Sequence, residues 1–139
     1  MRFRHAKIVA VFSRKIRVLV VDHNPLLREG LSVLIRLQPD MELIAAAASA
    51  EEAIRLFEEH RPDVTVMDLD LPSGAGIKAT QQIRARDPGA CVLGLLTYEW
   101  DEATFDAAGA GISGCLTKDR LNQDLIPLIV NCARRTRGV

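Results

Sequence analysis

Five short apolar stretches, separated by segments of helical periodicity, constrain the fold of this chain more than any other feature. The first, Ile16–Val21, is continuously apolar, which indicates a strand covered on both faces. The other four are residues 42–46, 64–67, 91–96 and 112–116. Strands that alternate with helices predict an α/β fold, a doubly wound five-stranded parallel sheet with helices on both faces.

Helix-start signals support this alternation. Pro25 suits the first turn of a helix after the first strand. Ser49, followed three residues later by Glu52, predicts a capping box at the start of the second helix. Residues 100–108 have weaker helical periodicity. We expect the last helix to begin near Asp124, because Pro127 is tolerated in a first turn but not deeper.

The length of 139 residues fits one domain, which we place at residues 16–135. Residues 1–15 form a basic extension, either an extra strand, an ordered arm or a frayed leader, and residues 136–139 form a tail. The stretch 16–133 holds all 18 acidic residues but only ten of the 18 Lys and Arg. An acidic body suits a divalent cation and argues against general nucleic-acid binding.

The cysteines and the apolar runs bear on the compartment. Cys91, Cys115 and Cys132 have no metal-binding spacing, and we interpret them as small core residues in a reducing compartment. No apolar run is long enough to span a bilayer. The sequence therefore predicts a cytoplasmic protein without a membrane partner.

Two acids and a lysine follow three of the predicted strands. Asp22 follows the first strand, Asp68 the third and Lys118 the fifth. Ligands of doubly wound sheets bind beyond the carboxyl ends of the strands, so these side chains predict a site for Mg²⁺ and a phosphoryl group. A carboxylate can itself be a nucleophile that forms an aspartyl phosphate. Taken singly, each acid is better explained as a turn residue or a helix cap, whereas the three residues together favour a site.

Three stretches in one order resemble response-regulator receiver domains, especially those that precede LuxR-type helix-turn-helix domains. They are VLVVDHNPLLREGL (18–31), PDVTVMDLDLPSGAGI (62–77) and GAGISGCLTKD (109–119), and the similarity covers roughly residues 16–133. The spacing of Asp68, Pro72 and Gly76, with Lys118 downstream, carries most of it. The resemblance implies a flavodoxin-like fold of strand order 2-1-3-4-5.

The resemblance also implies roles. Asp68 would accept a phosphoryl group from a histidine kinase docked near the first helix, residues 26–37. Asp22 and Asp68 would bind Mg²⁺, and Lys118 would pair with the phosphoryl oxygens. Phosphorylation would change a surface formed by the last two helices and the fifth strand, which could also pair two copies of the chain. Such a domain is not an enzyme beyond phosphorylation and dephosphorylation of Asp68.

Three positions depart from the family pattern, so the resemblance is to a receiver with degenerate switch residues. His23 replaces the second acid, the family's direct metal ligand, and imidazole suits softer ions than Mg²⁺. A lone histidine of this kind is most often a surface residue. A gapless count from Lys118 puts Leu96 at the position of the family's Thr or Ser. Thr97, the next residue, is a candidate substitute for that hydroxyl if the loop shifts locally, because strand alternation would otherwise turn it away. Cys115 replaces an aromatic residue.

Two alternatives remain open at this point. The departures are compatible with a pseudo-receiver that signals through protein contacts without phosphate. Asp68-Leu69-Asp70 also resembles the D-x-D motif of haloacid-dehalogenase-type phosphatases, although that motif follows the first strand of its fold. Within this chain we expect no output domain and no direct contact with nucleic acid.

Overall fold

A computed structural model describes residues 14–98, 106 and 109–136. Its strands are β1 (Ile16–Val21), β2 (Met41–Ala47), β3 (Val64–Asp68), β4 (Cys91–Leu96) and β5 (Gly114–Thr117). The described α-helices are α1 (Pro25–Arg36), α2 (Ala50–His60), α3 (Ala75–Arg86) and α4 (Leu121–Thr136). All neighbouring strands pair in parallel, in the order β2-β1-β3-β4-β5. This confirms the predicted fold class and strand order.

The helices enclose the sheet from both sides. One buried cluster joins alternate residues of β1, β3 and β4 to α1 and α4, and includes Leu31 and Leu125. The opposite cluster joins the other residues of the same strands to α2 and α3, and includes Phe57 and Ile83. Burial on both faces explains why the central strands are continuously apolar.

The first two helices begin where polar side chains accept backbone hydrogen bonds. The Asn24 side chain accepts from the N–H groups of Leu26 and Leu27 ahead of α1. The Ser49 hydroxyl accepts from Glu52 N–H at the start of α2, while the Glu52 carboxylate accepts from Ala48 N–H. The second pair resembles a capping box in which the glutamate reaches one residue further back.

Two predicted boundaries are wrong near the carboxyl end. β5 begins at Gly114 rather than at 112. The chain turns at Gly111, where φ is 88°, and the Ser113 hydroxyl accepts a hydrogen bond from the Val92 N–H. α4 begins at Leu121, after a 3₁₀ turn over Lys118–Arg120, and thus contains Pro127. Pro127 is exposed, so water can bond the carbonyl left without an N–H partner.

The cysteines also differ from the prediction of three separate core thiols. Cys91 at the start of β4 and Cys132 on α4 are both buried and form a disulfide, with their Cα atoms 6.1 Å apart. Cys115 is a free cysteine and lies exposed on β5. This pairing could not be predicted from cysteine spacing, because 41 residues separate Cys91 from Cys132.

Several predictions fall outside the described residues, namely the extension up to residue 13, the tail from 137 and most of the weak helix at 100–108. Among the described residues, no helix is both long and apolar enough to cross a membrane.

Candidate functional site

The strand register brings the predicted site residues to one edge of the sheet. Val21 pairs with Met67, so Asp22 and Asp68 are the next residues at the carboxyl ends of β1 and β3. Leu96 pairs with Thr117, so Thr97 and Lys118 follow together at the ends of β4 and β5. Side chains from the ends of four strands therefore converge at this edge of the sheet. We call this edge the rim, and its residues are Asp22, Asp68, Thr97 and Lys118.

Lys118 lies between three carboxylates. Its Nζ is 3.1 Å from Asp68 Oδ1, 3.5 Å from Asp22 Oδ2 and 3.7 Å from Asp70 Oδ2. Asp22 and Asp68 have fully buried side chains, whereas that of Lys118 is 18% exposed. Burial lowers the pKa of the Lys118 ammonium, but the charges of Asp68, Asp22 and Asp70 outweigh this and raise it. The lysine is therefore a fixed cation at neutral pH.

Only one of the two carboxylate oxygens of Asp22 accepts a hydrogen bond from a described residue. Its Oδ1 accepts the Asn24 N–H at 2.8 Å, but its buried Oδ2 has no hydrogen-bond partner among the described residues. Burial, the largest effect, and the nearby charge of Asp68 raise the pKa of Asp22 against the opposing hydrogen bond from Asn24 and the charge of Lys118. The ionised form of Asp22 is thus disfavoured in the folded chain.

Asp68 is the best-paired acid of the rim. Its Oδ1 accepts the Asp70 N–H at 2.8 Å as well as the Lys118 ammonium. Its Oδ2 lies 2.6 Å from His23 Nδ1, and because an ionised carboxylate can only accept, Nδ1 carries the hydrogen. Burial would raise the pKa of Asp68, but His23, the Asp70 N–H and Lys118 together lower it.

The raised pKa of Asp22 leads to a stability prediction. Ionised Asp22 opposes folding, so stability should fall as pH rises from 3.8, the usual value, through the raised pKa. Asp22→Asn keeps an oxygen for Asn24 N–H and removes the charge. We expect it to raise the free energy of unfolding at pH 7 by about 1 kcal/mol.

Urea denaturation of wild type and Asp22→Asn from pH 3 to pH 8 measures this effect. The gain should fade as the pH falls below 3.8, the usual pKa of this group, because Asp22 is then increasingly protonated in both states of the wild type. Both proteins keep Asp68, so the opposite titration of that group largely cancels in the difference. A variant less stable than wild type at pH 7 would show that the Asp22–Lys118 attraction outweighs burial.

The side chain that reaches the rim from the end of β4 is that of Thr97 and not that of Leu96. The Leu96 side chain is buried in the core on the α2 and α3 side, and β4 ends there. The Thr97 backbone N–H and hydroxyl both donate to Asp70 Oδ2, at 2.8 and 2.6 Å. The gapless count from Lys118, which put Leu96 at the position of the family's hydroxyl, is therefore one residue off. Strand alternation does not turn the Thr97 side chain away from the rim, because β4 ends at Leu96. Its role as a switch hydroxyl stays a prediction.

Two contacts at the rim were not foreseen. His23 was interpreted as a lone surface residue, and its side chain is 46% exposed, yet its ring contacts Asp68. Asp70 was considered only as part of a D-x-D motif, whereas it links Thr97 to Lys118. Its position two residues after Asp68 was the available signal, since a strand-end acid often accepts a hydrogen bond from the residue two positions on.

Comparison with known proteins assigns the family. The model for the response regulator receiver domain matches residues 18–130, and the chain belongs to this family. It is 37% identical over 120 residues to the transcriptional regulatory protein YxjL of Bacillus subtilis, covering 86% of this chain and 55% of YxjL. It is 36% identical to the DNA-binding transcriptional activator DevR/DosR of Mycobacterium tuberculosis, covering 79% and 51%. The chain spans about half the length of these curated relatives.

Solved structures agree with this assignment. A two-component response regulator of the LuxR family from Aurantimonas sp. superposes with a TM-score of 0.74 at 36% identity, covering 84% of this chain and 86% of that one. The signal receiver domain of NarL from Mycobacterium tuberculosis gives 0.81 at 26% identity, covering 87% and 98%. The chain is a receiver domain of the LuxR and NarL type of two-component response regulators. Nothing in these findings favours the phosphatase or the pseudo-receiver.

Receiver domains generally bind Mg²⁺ at this acidic pocket, and the residues present here fit that ion poorly. Asp22, His23 and Asp68 each offer one possible ligand atom, and these three atoms lie within 4.8 Å of one another. One of the three is an imidazole nitrogen, whereas Mg²⁺ requires oxygen ligands in near-octahedral geometry. Both oxygens of Asp68 are already engaged, by His23 on one side and by Lys118 and Asp70 on the other. We therefore assign no chemical step to Mg²⁺.

Proposed function

We propose that Asp68 is the phosphoacceptor of this receiver domain and that Lys118 pairs with the phosphoryl group. The observation that carries this proposal is the buried Asp68 carboxylate with the Lys118 ammonium at 3.1 Å. A carboxylate oxygen attacks phosphorus, the bond from phosphorus to the donor breaks, and the donor leaves with that electron pair. The charge on the transferred group is then compensated by the lysine.

The two oxygens of Asp68 differ in readiness for this attack. Oδ1 accepts from Asp70 N–H and Lys118, which fix its direction. Oδ2 is covered by the His23 ring, whose side chain is 46% exposed. We assign Oδ2 as the nucleophile, with His23 as a residue that must move before transfer. We propose that the hydroxyl of Thr97, which donates a hydrogen bond to Asp70, contacts a phosphoryl oxygen after transfer.

Receiver domains interact with histidine kinases, and we propose the face between α1 and α4 as the docking surface here. Two large apolar side chains of α1, Leu26 and Val33, are 83% and 43% exposed, and Leu37, which caps the helix at its end, is 71% exposed. A groove of about 540 Å³ runs from this helix to Leu121 and Asn122 and reaches Lys118. A kinase helix seated in the groove would bring its phosphohistidine to the rim.

The remaining assignments follow from the class of domain. Receiver domains of transcriptional regulators are generally not enzymes, and we propose no turnover here beyond phosphorylation and dephosphorylation of Asp68. We place the domain at residues 16–135, in the cytoplasm, with residues 1–15 as an extension. A transcriptional output would come from a partner or from another part of the full protein, as the names of the relatives suggest. Pairing of two copies through the surface that includes β5 and α4 is a further proposal.

Intact mass after incubation with acetyl phosphate tests the phosphoacceptor. The wild type, tested with Mg²⁺ and separately with Mn²⁺, should gain the mass of one phosphoryl group. Asp68→Asn should gain none, while Asp70→Asn, which alters a neighbouring carboxylate, should still be modified. No adduct in the wild type with either ion would overturn phosphorylation as the switch and would favour signalling through protein contacts alone.

A further inference from the structure

We propose that the rim selects a divalent transition ion that accepts imidazole, such as Co²⁺, Ni²⁺ or Zn²⁺, over Mg²⁺, and that His23 is the selecting ligand. The inference rests on the proposed function in that Asp22 and Asp68 belong to the same site. It concerns metal binding in the absence of a phosphoryl donor, so each of the two proposals can fail without the other.

The positions of the ligand atoms carry the inference. His23 Nδ1 lies 2.6 Å from Asp68 Oδ2 and 3.9 Å from Asp22 Oδ1. Three atoms around one ion at bonds of roughly 2 Å stand roughly 3–4 Å apart. The observed group therefore needs only a small outward movement of the ring, and the half-exposed His23 has room to make it.

The buried Asp22 oxygen supplies an independent indication. Asp22 Oδ2 has no hydrogen-bond partner among the described residues, although a buried carboxylate oxygen normally has one. It faces the same Lys118 Nζ that contacts Asp68, so it points into the cluster. An ion held between Asp22 and Asp68 would satisfy this oxygen.

The chemistry of the ligand set decides which ion is preferred. Two carboxylates and one imidazole suit the later divalent ions of the first transition row, whose affinity for nitrogen ligands exceeds that of Mg²⁺. The ring binds an ion as the tautomer that carries its hydrogen on Nε2, so that the lone pair on Nδ1 replaces the hydrogen bond to Asp68. The ring then closes the site on its solvent side.

Calorimetric titration of the full chain with Co²⁺ and with Mg²⁺, without phosphodonor, tests the selection. A Cys115→Ser background removes the free exposed thiol as an adventitious ligand. We expect one Co²⁺ per chain, bound at least about tenfold more tightly than Mg²⁺. His23→Ala should lower the affinity for Co²⁺ by about tenfold or more. His23→Asp should bind Mg²⁺ more tightly than the wild type does.

His60 provides the matched control, because it lies at the end of α2 and outside the rim cluster. His60→Gln should leave Co²⁺ affinity unchanged, and imidazole nitrogen NMR with Zn²⁺ should shift the signals of His23 and not those of His60. Equal affinities for Co²⁺ and Mg²⁺ in the wild type, or Co²⁺ binding that survives His23→Ala, would overturn the proposal.

Discussion

Gly76→Ala is expected to lower the free energy of unfolding by about 3 kcal/mol. Gly76 is buried in the first turn of α3, and a Cβ there would lie well inside contact distance of the Asp68 backbone carbonyl and close to Leu69 Cα. Both obstacles are backbone atoms, so no side chain can rotate away to make room. Either α3 or the end of β3 must shift, and a shift of β3 would move Asp68 itself.

Gly30→Ala is the matched control for this substitution. Gly30 lies on the exposed face of α1 and a Cβ there would have no atom within 4 Å. Because alanine favours a helix over glycine, we expect Gly30→Ala to stabilise the chain by about 0.5–1 kcal/mol. Urea denaturation of both variants gives the comparison. Equal effects of the two substitutions would contradict the close approach of α3 to Asp68.

Lys118→Met is expected to slow acceptance of a phosphoryl group by about a hundredfold. The methionine keeps most of the aliphatic stem but removes the ammonium that lies 3.1 Å from Asp68 Oδ1. No other described cation is placed between the three carboxylates, so the charge of the transferred group would stay uncompensated. The rate of the mass increase with acetyl phosphate measures the effect.

Two controls separate charge compensation from a general loss of positive charge. Lys78→Met removes a lysine that is exposed on α3, and we expect it to leave the rate unchanged. Lys118→Arg keeps the charge but places a larger planar group in a space fitted to an ammonium, so we expect it to restore little of the rate. A Lys118→Met protein modified as fast as wild type would show that the lysine is not part of the phosphoryl site.

The fold was predictable because its signals are local and repeated. The apolar runs of the strands and the periodicity of the helices predicted the α/β class, and errors at single boundaries did not change it. The strand order was implied by the resemblance to receiver domains. The boundaries failed where a single residue outweighed the pattern. Pro127 lies within α4 because its exposed position lets water take the place of the lost partner.

The site was predictable to the level of which residues meet, and less so in their pairings. Strand ends in a parallel sheet meet at one edge, which placed Asp22, Asp68 and Lys118 together. The contact between His23 and Asp68 depends on a side-chain torsion, and the assignment of Thr97 depends on where β4 ends. Neither is encoded in residue spacing, and the Cys91–Cys132 pair likewise depends on how α4 packs against β4.

The central claim is that the carboxylate of Asp68 receives the phosphoryl group, and locating the modified residue tests it most directly. Wild-type protein treated with acetyl phosphate would be reduced with borohydride to trap the acyl phosphate, digested and sequenced by mass spectrometry. We predict modification at Asp68 alone, and none in Asp68→Asn. Modification at Asp22 or Asp70 instead, or an adduct that persists in Asp68→Asn, would contradict the account.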